Sequence, residues 1–311
     1  MPLDPRAKRF LDVLAATNPA STRDLSADER RRGLSELMRF SGPLEVVASV
    51  SALEVPGPGG NLRARLYEPN GAAAGLLPGL VYFHGGGLVA GDLETHDAVA
   101  RGLANASGCR LLSVEYRLAP EHPFPAAIED ATAAVTHLSR NAASFGIDAR
   151  RIGVAGDSAG ATLAAVTTRH LSKSGDAAIT AQLLLCPILD YAAASPSRVA
   201  LGAGYLLDEA TLEHDLAHYL RGNIDPRDPR VSPLREADLS GLPRTIIHTA
   251  EFDPLHDEGA AYAERLRSAG IPVSHTVHPG MIHLFYAMAG VIPYARTAIE
   301  LAGMEIRAAL S

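Results

Sequence analysis

Tryptophan is absent, and Cys109 and Cys186 are the only thiols in 311 residues. Both lie inside apolar, strand-like stretches (GCRLLSVEY and AQLLLCPIL), where a free cysteine behaves as a small buried hydrophobe, so no disulfide framework is expected. Long runs of one charge are also missing. Acidic residues outnumber basic ones by 35 to 28, a net charge of −7. That excludes both the basic footprint of a nucleic-acid binder and a polybasic membrane patch. Uninterrupted hydrophobic runs are missing too. The opening MPLDPRAKRFLDVLAATN puts Asp, Arg or Lys into every apolar stretch, unlike the core of a signal peptide, and nothing later approaches a membrane span. The expectation is a cytoplasmic protein with no stable membrane insertion and no nucleic-acid partner. Neither an internal repeat nor a low-complexity segment is found.

What is present is an ordinary globular composition, 47% hydrophobic with 20% charged residues, enough for one large core. Residues 1–42 read as two helices, the second opening with the capping-box pattern Ser26-Ala27-Asp28-Glu29 and continuing through Leu34, Leu37 and Met38. LEVVASVSALEV, the turn PGPGGN and LRARLYEP read as a β-hairpin. Apolar runs then alternate with Ala-rich helical stretches, which predicts βαβ units and an α/β fold with a parallel sheet buried on both faces. The alternation breaks between Tyr191 and Leu242. The clearest element there is a helix from Glu209 to Arg221, capped by Asp208. It resumes with the strand RTIIHTA, a helix, the strand PVSHTVH and a helix from Tyr294 to Leu310.

Gly156-Asp157-Ser158-Ala159-Gly160 matches G-x-S-x-G directly between a strand and a helix, the context in which a sharp turn lifts a nucleophilic serine out of the chain. The bland alternative is a tight turn with Ser158 as a helix cap. His84-Gly85-Gly86-Gly87 follows another strand. Its glycines let backbone amides converge on one point, as an oxyanion requires, and Gly85, Gly86, Gly87 and Ala159 are the candidate donors. Gly85-x-Gly87-x-x-Ala90 also fits a dinucleotide fingerprint, but GDLET intervenes before the next helix and that reading leaves the elbow unexplained.

A serine needs a base and a carboxylate to orient that base, and in this arrangement both follow later strands in the order Ser, acid, His. Asp253, after RTIIHTA, and His283, after PVSHTVH, satisfy the order. Asp253 could instead cap the helix entered through Pro254. Glu251, Asp257 and Glu258 are weaker acids for the role, and His256, His275 and His278 weaker bases. His214 and His218 stand at i, i+4 on one helix, but no third ligand is evident, so no metal is expected.

Five motifs in order resemble the bacterial hormone-sensitive-lipase-like carboxylesterases, or family IV esterases. They are HGGG with GDLETHD; Tyr116 to His122 leading to Pro125-Ala126; GDSAG; Asp253-Pro254-Leu255 with Asp257-Glu258-Gly259; and His283. The resemblance spans nearly the whole chain. It implies an α/β-hydrolase fold with an eight-stranded, mostly parallel sheet. It also implies a catalytic domain of residues 43–190 and 236–311 under a helical cap formed by residues 1–42 and the insertion 191–235. The implied function is hydrolysis of small-molecule, short- to medium-chain esters through an acyl-enzyme on Ser158, His283 and Asp253, with no cofactor. Leu88, Leu206 and Phe285 are the pocket residues it suggests. Family members commonly carry an aromatic where Leu88 stands and a second Gly where Ala161 stands, so acyl preference does not carry over. An amidase or deacetylase could use the same triad, a non-catalytic receptor of this fold is disfavoured by His283, and a homodimer is left open.

Overall fold

A computed structural model of the chain describes residues 2–17, 19–72 and 75–311. Met1 and Asn18 of the expected N-terminal cap segment lie outside the described residues, as do Ala73 and Ala74. The order of elements is α1 (Pro5–Ala16), α2 (Ala27–Leu37), β1 (Ser49–Gly57), β2 (Gly60–Glu68), β3 (Leu77–Phe83), α3 (Asp97–Ser107), β4 (Arg110–Val114) and α4 (Ala126–Arg140). There follow β5 (Ile147–Asp157), α5 (Ala159–Ser174), β6 (Ala181–Leu185), α6 (Pro196–Leu201), α7 (Glu209–Tyr219), β7 (Arg244–Phe252), α8 (His256–Ser268), β8 (Val273–Ile282) and α9 (Tyr294–Ala309).

The strands form one eight-stranded sheet in the order β1-β2-β4-β3-β5-β6-β7-β8. Only β2 runs against its neighbours, pairing antiparallel with β1 and β4. Period-two side-chain alternation sorts each central strand between two cores. Val81 and Phe83 of β3 join the layer of α4, α5 and α8, while Leu80 and Tyr82 join that of α3 and α9. β6 is buried along its whole length, its one polar residue Gln182 bonded to Thr245, whereas most of edge strand β1 is exposed. α5 is buried from Ala159 to Arg169; its alanines and glycine let a helix lie close against the sheet on one side and α4 on the other.

Two caps expected from sequence form. Ser26 Oγ accepts the Glu29 amide at 3.3 Å while Glu29 Oε2 accepts the Ser26 amide at 2.8 Å, and Asp208 Oδ1 accepts the Thr211 amide at 2.8 Å. Two boundaries differ from expectation. α7 stops at Tyr219, because Leu220 is extended and the Tyr219 carbonyl is taken by the Phe124 amide at 2.9 Å. β8 runs on to Ile282, following an irregularity opposite Ala250 and Phe252, which puts His278 inside the strand rather than at its end.

The N-terminal segment and α7 meet above the sheet. Arg30 grips Asp215 through Nε and Nη2 at 3.2 and 3.0 Å, and Thr22 Oγ1 lies 2.9 Å from Thr211 Oγ1. His214 Nε2 faces the Leu25 carbonyl at 3.0 Å. Among the described residues no helix is long and apolar enough to cross a membrane.

Candidate active site

Ser158 is the single residue between β5 and α5, held at φ 52°, ψ −120°, a sparsely populated conformation for a non-glycine residue. The flanking glycines follow from sterics. A Cβ on Gly156 would stand 2.2 Å from the Gly160 carbonyl oxygen, and one on Gly160 would stand 2.1 Å from that of Phe83. The turn is pinned by the Ser158 amide donating to the Leu185 carbonyl at 2.8 Å.

His283, directly after β8, places Nε2 3.0 Å from Ser158 Oγ, and its Nδ1 lies 2.7 Å from Asp253 Oδ2. Since a carboxylate only accepts, Nδ1 carries the proton and Nε2 presents its lone pair to the hydroxyl. Asp253 is fully buried. Its other oxygen accepts the Leu255 amide at 2.9 Å, which holds the turn ahead of α8; the helix is entered through Leu255 with no side-chain cap, so Asp253 is not its cap. Its rivals have other tasks. Glu258 accepts the amides of Leu189 and Asp190 at 2.8 Å each and pairs with Arg198, and Asp257 accepts the Ser197 amide at 2.8 Å. His275 bonds Thr249, His278 bonds His248 and Tyr294, and His256 faces the Ala250 carbonyl.

The glycine loop is one step different from expectation. The Gly85 amide donates to Asp157 Oδ1 at 2.9 Å, so Gly85 anchors the loop and is not an open donor. Gly86 and Gly87, at φ 119° and 68°, line the cleft at Ser158, and no partner for their amides is found among the described residues. Ala159 is the first residue of α5, whose leading amides have no partner within the helix. Within G-x-S-x-G, Asp157 stands at a variable position that carries no signal of this role. Buried beneath the loop, it also accepts from the hydroxyls of Tyr82 and, at 3.2 Å, Tyr286. Burial pushes its carboxyl up, but His96 and the Tyr82 hydroxyl outweigh it and hold the group below its ordinary value. Burial also lowers the neighbouring His84 to about 4, keeping that ring neutral.

Ser158 and His283 open into a cleft of about 600 Å³. Of the suggested pocket residues, Leu206 lines it; Leu88 and Phe285 do not. Leu88, at φ 64°, is turned wholly into the core. Phe285 packs behind the site against Tyr294 and His278, and its neighbour Leu284 lines the cleft instead. The rest of the wall includes Leu11, Leu14, Leu34 and Leu37 from the N-terminal helices, Ile188 after β6, and Leu212 from α7, with Arg30 and Asp215 among its polar residues; none of these carries a motif. His214 faces Asp215 through Nδ1 and the Leu25 carbonyl through Nε2. The Asp215 contact raises its pKa above the ordinary value, and neither nitrogen is free for a metal. A wider groove of about 780 Å³ lies elsewhere, between α4 and α5, and contains none of these groups.

A family model described as alpha/beta hydrolase fold matches residues 80–287. The carboxylic ester hydrolase LipN of Mycobacterium tuberculosis is 42% identical over 82% of this chain and 68% of its own. The arylesterase of Saccharolobus solfataricus is 36% identical over 92% of each chain. An α/β-hydrolase enzyme from the metagenome of Lake Arreo, Spain, superposes with a TM-score of 0.95 at 40% identity over 98% of each chain. Sheet order, elbow and relatives agree, and the chain belongs to the α/β-hydrolase family, in its hormone-sensitive-lipase-like (family IV) esterase branch.

Proposed function

We propose that the chain is a serine carboxylesterase acting on short- to medium-chain acyl esters through a covalent acyl-enzyme. The observation that carries this is the unbroken relay from Asp253 through His283 to Ser158, with spacings of 2.7 and 3.0 Å, at the floor of a mostly apolar cleft. Ser158 Oγ attacks the ester carbonyl as its proton passes to His283 Nε2, and Asp253 stabilises the imidazolium. The amides of Gly86, Gly87 and Ala159 receive the oxyanion. His283 then gives its proton to the departing alcohol, and a water molecule repeats the sequence to free the acid. The Leu and Ile side chains of the cleft suit an uncharged acyl chain, and its volume is typical of small-ligand sites.

Residues 1–42 and 191–235 act as the cap, a reading supported by the Arg30–Asp215 pair and by the cleft residues that α1, α2 and α7 contribute. The test is hydrolysis of p-nitrophenyl butyrate by wild type and Ser158→Ala. The variant is expected to lose at least about a thousandfold in kcat; comparable turnover would remove Ser158 from the mechanism.

A further inference from the structure

Cys186 has no part in the chemistry above, yet its position is unusual. It follows β6 at φ 42°, in the left-handed region where a non-glycine residue costs on the order of 1 kcal/mol or more and such strain tends to mark functional sites. Its amide still donates to the His248 carbonyl at 2.7 Å, so the strain sits where the strand turns away beneath the nucleophile elbow. One donor atom from each of Cys186, Asp253 and His283 lies within 4.8 Å of the others, and all three residues are buried. Among the described residues no other group of three or more His, Cys, Asp and Glu side chains is placed to share an ion.

From this geometry we infer that Cys186, Asp253 and His283 form a three-ligand site for a thiophilic divalent cation, Zn(II) or Cd(II), whose occupation switches the enzyme off. The donor set matches such an ion: a thiolate, an imidazole nitrogen and a carboxylate oxygen, all from buried residues. Tetrahedral ligands around zinc stand roughly 3.3–3.8 Å apart, so the widest pair must close by no more than about 1.5 Å, while Asp253 and His283, 2.7 Å apart, must open by about 0.6 Å. Charge balances as well, since thiolate and carboxylate together neutralise a 2+ ion in a site from which water is excluded. At rest the thiol holds its proton, because burial and then the Asp253 carboxylate push it well above its ordinary value.

On binding, the S–H bond breaks, a metal–sulfur bond forms, and the thiol proton leaves to solvent. Nδ1 of His283 gives its lone pair to the ion, and the proton it held moves to Nε2. The ring stays neutral but its tautomer is reversed: Nε2, which faced Ser158 Oγ as an acceptor, now faces it as a donor and cannot take the serine proton. Inhibition by this route rests on the triad reading above; binding does not.

The experiment titrates CdCl2 into the full-length protein and follows two readouts, the ultraviolet thiolate-to-cadmium charge-transfer band and the rate of p-nitrophenyl butyrate hydrolysis. Wild type, Cys109→Ala, Cys186→Ala, Cys186→Ser and Ser158→Ala are compared, with thermal melts checking that each folds. Because the chain has only two thiols, the band in Cys109→Ala reports Cys186 alone, and the result does not hinge on the Cys186 variants folding. The expected result is one ion per chain in wild type, Cys109→Ala and Ser158→Ala, with inhibition of wild type and Cys109→Ala reversed by EDTA. Either Cys186 variant should lose the band and need at least about tenfold more cadmium for half-inhibition of its own metal-free rate. No band in Cys109→Ala, or equal cadmium sensitivity after Cys186 is replaced, overturns the site. A full band with undiminished turnover overturns the inhibitory assignment, whereas failure of the serine mechanism would show separately as turnover by Ser158→Ala without metal.

Discussion

Gly160→Ala tests whether the oxyanion pocket depends on the closeness of two backbone segments. The new Cβ would stand 2.1 Å from the Phe83 carbonyl oxygen and 2.4 Å from that of His84, both main-chain atoms that cannot rotate away. To reach even 3.0 Å, the start of α5 must retreat from the end of β3 by about 0.9 Å. Those two segments carry opposite sides of the proposed donor set, Ala159 on α5 and Gly86 with Gly87 beyond β3. A displacement of that size moves one donor outside the 2.7–3.1 Å range an oxyanion needs, and losing one such donor costs about 10²–10³ in kcat. KM should change little, because the walls of the cleft come from other elements. The overpacking should also lower stability by about 1–3 kcal/mol. Steady-state kinetics with p-nitrophenyl butyrate and urea unfolding read both quantities. A kcat within threefold of wild type, with an unshifted urea midpoint, would refute the claim that this contact sets the donor geometry.

Three further outcomes are expected. Asp253→Asn keeps an acceptor for the Leu255 amide but favours the wrong imidazole tautomer, so kcat should fall by about 10³–10⁴ with little change in circular dichroism. Arg30→Ala leaves the Asp215 carboxylate without its guanidinium partner. It should cost about 1–3 kcal/mol and speed hydrogen exchange in α7, measured by mass spectrometry; unchanged exchange would argue against the pair as a cap latch. His84, held near 4 by burial, stays neutral when folded but takes a proton near pH 6.5 when unfolded. The unfolded state therefore binds more protons between those values, and stability should fall with acidification from pH 6.5 to 4. The contribution from this ring alone is about 1.4 kcal/mol per pH unit, a slope that urea unfolding at stepped pH would show and that His84→Gln should reduce.

Several features were legible without coordinates because they are local demands of the backbone. Gly156 and Gly160 are required by atoms within four residues or by the adjacent strand, and Asp253 and His283 follow strands whose apolar pattern announces their ends. What sequence reading misassigned depends on distant partners. The Gly85 amide looks like an oxyanion donor until Asp157, 72 residues later, accepts it. Leu88 and Phe285 stand beside site residues in sequence, yet a positive φ in one case and packing on Tyr294 in the other turn them away from the cleft.

The sequence alone therefore determined the alternation of strands and helices, the strand–turn–helix elbow and the chain order of Ser158, Asp253 and His283, since each is written in periodicity, glycine placement or strand-end position. Only tertiary structure decided the cleft. Its walls join the N-terminal segment to α7 across a gap of 189 residues between Thr22 and Thr211 and of 185 between Arg30 and Asp215, and its leucines are ordinary helical leucines until that packing brings them over Ser158. A cavity is the space left between elements that meet through long-range contacts, and no local pattern encodes such a space.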